Sequence, residues 1–417
     1  MIFRLENSIR NYAWGARDGI ANFLGQVNHS TEPEAELWIG AHADNPSRVW
    51  VKSTGPECNA FNQAILLNDF IAAAPNALLG ADVCKRFTSR LPYLLKVLAA
   101  GQPLSLQAHP TLEQAQSGFD DEERRHVPRD AQTRNYRDRN HKPELIFATT
   151  PFEAFCGFRS VSETIDSFER LGQPLLLPLS RMLRAEPNAT GTRAVLEQLL
   201  VTPTQSQRQL VEQTLAAAEP GQSMAGPDQN HLRWIAKLGR IYPGDVGVVT
   251  VLMLNYVCLE VGQAMFLPAQ TLHSYLSGVG IEIMASSDNV LRGGLTPKHV
   301  DATELLRVLT FEPMPPPIVT PTTVSPGERA FLTPAADFRL SQIQLGRRPS
   351  DNPILSHQWE PFGPELLLCS EGQLNATAEG QLPLTLTRGQ SVFVAADTRS
   401  VLLEGHGTVF RATVGTA

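Results

Sequence analysis

Gln107 and His109 stand two apart in Leu104-Ser105-Leu106-Gln107-Ala108-His109, a run that reads as a strand. At i and i+2 their side chains leave on the same face. A further imidazole, His273, follows Pro268 beyond a strand-like stretch. Donors of this kind suit a divalent ion, and such an ion needs at least one anionic ligand to offset its charge. Two carboxylates qualify: Glu113, four residues past His109, and Glu144, in His141-Lys142-Pro143-Glu144. Pro143 restricts Lys142 to an extended conformation, which suits presenting Glu144 at the start of a strand. Spacing leaves the two carboxylates even. Two imidazoles, a carboxylate and an amide oxygen fit zinc with a position left for water or substrate; manganese and iron accept the same donor types. Farther on, Gly293 and Gly294 let backbone approach a ligand closely, and Arg292 and Lys298 beside them can bind phosphate or a developing oxyanion. Taken singly, each histidine reads as an ordinary hydrogen-bonded residue and this last stretch as a polar turn.

The elements that must position these residues are mostly strands. Arg90–Leu98 reads as a buried strand, followed by a turn at Gly101-Gln102-Pro103 and the strand ending at His109; Leu145–Ala148 reads as another. Phe61–Leu79 reads as helical, and the charged stretch Asp120–Lys142 as a solvated loop. From about residue 159 the period lengthens. Ser160 and Glu163 form a capping box, Val161, Ile165, Phe168 and Leu171 recur at helical spacing, and Gly172 supplies a stop. Further helices are expected at Thr192–Val201, Gln205–Ala218 and Asn230–Leu238. After Pro243-Gly244 strands return, a Pro-rich linker spans 312–317, and the last hundred residues alternate in period 2 with Gly-rich turns. One echo is internal: Gly262-Gln263-Ala264-Met265-Phe266-Leu267 resembles Gly389-Gln390-Ser391-Val392-Phe393-Val394, and in that register His273 falls opposite Ser400. The first copy keeps a possible ligand; the second has lost it.

The chain has 417 residues, 42% hydrophobic and 18% charged, which implies two or three domains. A net charge of −7 without a basic run argues against nucleic acid. Five scattered cysteines, Cys58, Cys84, Cys156, Cys258 and Cys369, read as buried thiols in a reducing compartment. No apolar signal core opens the sequence, and no apolar run is long enough to span a membrane. The expectation is a cytoplasmic protein, monomeric, acting on a small molecule.

Two resemblances sharpen this reading. Gly101, five residues, then Gln107-x-His109 resembles the first metal motif of cupins, with Gln in place of the usual first His; Gly262, five residues, Pro268, then His273 resembles the second. In addition, Asn11-Tyr12-Ala13-Trp14-Gly15, Ala35-Glu36-Leu37-Trp38-Ile39-Gly40, Pro103–Pro110, Asn140-His141-Lys142-Pro143-Glu144, Tyr275-Leu276-Ser277-Gly278 and Ser287–Lys298 look like the successive signatures of the type I mannose-6-phosphate isomerase family, and of its bacterial members in particular. The likeness runs from residue 7 to about 305. It implies zinc, one per chain, held by Gln107, His109, Glu144 and His273. It implies a mainly β fold of two cupin-type jelly-roll barrels with an all-helical insertion. The catalytic jelly roll would take 1–150 and 244–312, the helices 151–243, and a jelly roll without metal ligands 318–417. Arg292 matches the family's active-site arginine. There are departures: Thr271-Leu272 precedes His273 where Pro is usual, and Ala41-His42 replaces a His-Pro pair.

The implied reaction moves a proton between carbons 1 and 2 of mannose 6-phosphate and fructose 6-phosphate through an enediol. Candidates for the base are His141, Lys142, Glu282 and Asp288, which the sequence does not separate. Lys298, Ser105 and Lys96 are candidates for the phosphate, and Trp14 for the substrate. The rival readings are another metal-dependent cupin sugar-phosphate isomerase and a non-catalytic, metal-containing sugar-binding cupin.

Overall fold

The computed structural model describes residues 1–29, 31–52, 62–218, 226–346 and 354–415; Cys58 lies outside them. Alternation in the strand Tyr93–Ala100 explains the layering. Leu95 and Val97 enter one buried cluster, shared with Leu145, Phe147, Ile281 and Ile283 on one side and with Leu340, Leu366, Phe393 and Phe410 on the other. Leu98 and Ala100 enter another with Ile146, Ala148 and Phe152. The first cluster glues two large sheets together; the second is the interior of one of them. Each sheet has eleven strands among the described residues, and neither hydrogen-bonded order closes on itself. The mainly β, jelly-roll expectation thus takes the form of open sandwiches.

The sheet that carries the chemistry centres on His273–Ala285, a strand of 13 residues. Its first residues pair with Phe152–Phe158, its later ones with Tyr93–Ala100 and Glu144–Ala148. The register shifts between Tyr275 and Ser277, and Gly278 follows at φ 121°, where a Cβ would lie 2.6 Å from the Pro151 carbonyl oxygen. Only glycine lets the strand bend there and serve both layers.

Five helices, Val161–Leu171, Leu177–Ala185, Ala189–Val201, Thr204–Ala217 and Gln229–Ile241, follow the strand Phe152–Phe158. The capping box of Ser160 and Glu163 is made, and Gly172 closes the first helix at φ 61°. Their core is continuous with Leu106, Ala108, Phe155, Leu272 and Leu291. The helices therefore back the strand that carries Gln107, on its opposite face.

In the other sheet the strand Ile2–Glu6 pairs with Ser391–Val394, and Arg48–Lys52 extends it. Ile2–Glu6, Arg48–Lys52 and Asn62–Leu66 thus lie in the sheet of the C-terminal segment, whereas Ser8–Arg10 and Glu36–Ile39 join the other sheet. The echo is structural: Gly262 and Gly389 have φ 93° and 85°, and the strands Ala264–Leu267 and Ser391–Val394 follow. Ser400 accepts a hydrogen bond from Gln358. The interior of this jelly roll holds ion pairs instead: Arg411 donates to both oxygens of Glu365 at 2.5 and 2.9 Å and to Glu328 at 3.2 Å. Glu365→Ala leaves Arg411 with one partner fewer in a buried site, an expected loss of about 3–5 kcal/mol in a denaturant titration. Burial acts to raise the Glu328 pKa, but His357 and Arg411 hold it down at about 2. Its contribution to stability is therefore full above the ordinary carboxylate value and fades as the pH falls toward 2.

Several local expectations change. Phe61–Leu79 is strand Asn62–Leu66 before it is helix, because Asn62–Leu66 completes the sheet edge beside Arg48–Lys52. The stretch after Asp120 is not simply solvated: Leu112–Arg124 is a capped helix, and Arg134 and Tyr136 behind it are buried. The Pro-rich linker is tied down, its Met314 carbonyl accepting from Asn255 and its Pro317 carbonyl from Phe266. Cys258 is exposed rather than buried, and no described cysteine is paired.

Candidate metal centre

Strand register brings the donors into line. His273 and Arg292 both stand opposite Gln107, one from each neighbouring strand. Directly opposed residues share a face, so His273, Gln107 and Arg292 form a row across three strands. His109, two residues past Gln107, joins that face. Glu144 opens the strand Glu144–Ala148 in the second layer and points into the same interior as Ile146, two residues on.

The side chains meet. His109 Nε2 lies 3.4 Å from one oxygen of Glu144 and His273 Nε2 lies 3.5 Å from the other. Gln107 reaches within 3.5 Å of His273 Nε2. Two donors on one tetrahedral zinc, each about 2.0–2.1 Å from it, stand about 3.3 Å apart, so the spacing fits. All three charged or imidazole donors are at most 2% exposed. His109 Nε2 and Glu144 Oε2 are buried without a hydrogen-bonding partner, which costs free energy unless something else engages them. The far ring nitrogens are engaged: Nδ1–H of His109 donates to the Asn289 carbonyl at 2.7 Å and that of His273 to the Thr271 carbonyl at 2.8 Å. Those bonds hold the tautomer whose bare Nε2 faces the centre. Thr271, where the resemblance led to an expectation of Pro, thus serves through its carbonyl.

Charges agree. Burial works against ionisation of Glu144, but Lys142, with Nζ 3.3 Å away, and His109 outweigh it and hold the carboxyl well below its usual range. Burial pushes His109 down to about 4, against the pull of Glu144, which keeps its ring neutral and able to bind a metal. Glu113 sits exposed on the helix Leu112–Arg124, so Glu144 is the carboxylate of this cluster. Cys156, opposite His273, is pushed up to about 12 by burial and stays a thiol.

Around the centre the other candidates divide. Lys96 lies between Glu36 and Glu282, at 3.4 and 3.2 Å, under the ring of Trp38. Burial acts to lower its pKa, and the two carboxylates more than reverse that. Burial raises Glu282, with Lys96 opposing. Asp288 meets His42 Nε2 at 3.4 Å. His141 is turned to Asp337 of the C-terminal segment, 2.8 Å away. Trp14 stacks on Tyr12, and its carbonyl accepts from Gly101 and Gln102. Ser105 is half-buried just before the strand Leu106–Ala108. Lys298 is exposed; burial, then Arg292 and Arg137, lower its pKa, and burial with Arg137 does the same to Arg292. None of these three cations has an ion-pair partner among the described residues, and Arg137 is one that sequence reasoning passed over. The interleaved charges of its loop hid it.

Comparison with known proteins follows the same lines. A family model described as phosphomannose isomerase type I, catalytic domain, matches residues 2–161. Mannose-6-phosphate isomerase of Escherichia coli (strain K12) is 38% identical over 411 residues, covering 98% of each chain. The Homo sapiens mannose-6-phosphate isomerase is 29% identical over 425 residues, 95% of this chain and 94% of that one. A crystal structure of a phosphomannose isomerase mutant from Salmonella typhimurium superposes with TM-score 0.87 at 35% identity, and so does a zinc-bound mannose 6-phosphate isomerase, each with 100% of both chains covered. By descent as well as by geometry, the chain belongs to the type I mannose-6-phosphate isomerase family.

Proposed function

We propose that this chain interconverts D-mannose 6-phosphate and D-fructose 6-phosphate with one zinc ion held by Gln107, His109, Glu144 and His273. The observation that carries the reading is the convergence of buried, unpartnered donor atoms of His109 and Glu144 with His273 beside the Arg292 row. When bound, the ion supplies Lewis acidity toward the sugar oxygens at carbons 1 and 2.

The remaining work falls to side chains. Lys298 and Arg137 take the phosphate, which orients the sugar from a point remote from the reacting carbons. Their mutual repulsion with Arg292 is relieved by a bound dianion. Arg292, on the face of Gln107, meets the negative charge that grows on oxygen as the carbon-bound proton leaves. Glu282, with a pKa raised by burial, takes the proton from carbon 2 and returns it to carbon 1, while a second proton passes from the oxygen on carbon 2 to that on carbon 1. Lys96 keeps Glu282 in place. His141, committed to Asp337, anchors the loop that presents Lys142 and Glu144 rather than acting as base. Trp14 borders the same interior, packed against the cluster of Leu98, Ile146 and Phe152.

No helix among the described residues is long and apolar enough to cross a membrane, and the net charge of −7 offers no track for nucleic acid. A small-molecule enzyme of the cytoplasm, working as a monomer, completes the reading.

A coupled assay for fructose 6-phosphate from mannose 6-phosphate, run with and without a chelator, tests it. Activity is expected to vanish on chelation and return with zinc; turnover indifferent to complete metal removal would defeat the proposal. Glucose 6-phosphate in the same panel separates the related sugar-phosphate isomerases.

A further inference from the structure

We propose that Asn289, whose side chain is committed to the segment 137–140, is the positioning residue that sets His109 and Glu144 relative to each other. The inference rests on the reading of the metal centre above.

Asn289 is fully buried. Its side-chain oxygen accepts from the backbone N–H groups of Arg137 at 2.7 Å and Asp138 at 3.2 Å. Its amide nitrogen donates to the carbonyls of Asp138 at 2.9 Å and Asn140 at 2.8 Å. Two lone pairs and two N–H groups are thereby all used. One amide thus replaces, for the segment 137–140, the ladder that a strand neighbour would provide. Four residues after Asn140 comes Glu144, and the intervening Pro143 stiffens the path.

The backbone of the same residue acts on the other ligand. Its carbonyl takes the Nδ1–H of His109 at 2.7 Å, fixing the ring plane and the bare Nε2. Its N–H donates to Ser287 Oγ, which itself donates to the Asp138 carboxylate. Asp138 in turn accepts from the Asp288 N–H at 2.7 Å. The segment 287–289 and the segment 137–140 are therefore cross-tied at both ends of a short ladder, with one ligand at each exit. Movement of Asn289 displaces His109 and Glu144 together, and those two donors stand only 3.4 Å apart.

Two substitutions probe this. Asn289→Ala removes all four side-chain bonds. Asn289→Asp keeps the shape and the accepting oxygen, but turns a second oxygen toward the Asp138 and Asn140 carbonyls. Zinc affinity is measured on purified protein by competition with a chromogenic chelator, with melting of the zinc-free form followed in parallel. Both variants are expected to bind zinc about 10–100-fold more weakly, the scale for lost support of a metal ligand. Glu365→Ala, destabilised in the other sheet, is expected to keep wild-type affinity. Equal zinc affinity in wild type and a folded Asn289 variant overturns the proposal and reduces Asn289 to a structural role. A second measurement needs no variant: in zinc-free wild-type protein with 15N-labelled histidine, His109 is expected to carry its proton on Nδ1. A proton on Nε2 instead overturns the proposal equally. Absence of zinc binding by the wild type is a different failure, and it strikes the metal centre itself.

Discussion

His273→Ala is expected to lose zinc and isomerase activity together. His273 supplies the donor that faces the free oxygen of Glu144 and the amide of Gln107. With alanine there, three donors remain, and Glu144 Oε2 loses the group that stands nearest it. Catalytic zinc sites in proteins hold the ion with three protein ligands plus water or substrate, so residual weak binding is compatible with geometry, but not retention through dialysis against chelator. Zinc per chain, read by atomic emission, should fall from one to near zero, and activity to background. The strand should survive, because the backbone pairing of His273–Ala285 does not involve the ring. Stoichiometric zinc in a folded His273→Ala protein would remove His273 from the ligand set and break the row that joins it to Gln107.

Arg292→Ala should show the opposite pattern, with normal zinc and lost turnover. Arg292 lies across Gln107 from His273 but is not a donor to the ion. Its role in the proposed reaction is to stand as a fixed positive charge where charge develops. Loss of one such preorganised group typically costs about 10²–10³ in kcat, or roughly 2.7–4 kcal/mol. A rise in KM is expected to be the smaller effect, since Lys298 and Arg137 still hold the phosphate. Arg292→Lys should recover little, because a point charge on a flexible stem does not replace a planar guanidinium. Unchanged turnover in Arg292→Ala would take Arg292 out of the chemistry and leave it a phosphate contact at most.

Part of the candidate cluster was legible because local periodicity carries it. Gln107 and His109 share a face by strand alternation, and the capping box of Ser160 and Glu163 announces the helix that begins at Val161. The glycine-led echo at 262 and 389 appears in both sheets as a left-handed turn and a strand. Choosing Glu144 over Glu113 lay beyond spacing: Glu113 is nearer in sequence, but it rides a helix and faces solvent. The loop before His141 was misread for a related reason. Its polar residues look solvated because their partners, Ser287, Asp288 and Asn289, come about 150 residues later. Nothing in local composition distinguishes a polar group facing water from one facing a distant amide. The strands of the first 70 residues belong to the same class, since their alternation fits either sheet.

The pairing of Ile2 with Val394 carries a consequence for how the molecule is made. A ribosome releases Ile2–Glu6 long before its hydrogen-bonding neighbour Ser391–Val394. Until then that strand has Arg48–Lys52 on one side only, and closing so long a loop is slow even though its entropic cost grows only logarithmically. The nascent chain therefore carries an open β edge until Ser391–Val394 emerges, a template for unwanted association. Cell-free translation stalled short of residue 391 should yield aggregating or chaperone-bound product, whereas release of the full chain should yield compact, protease-resistant protein.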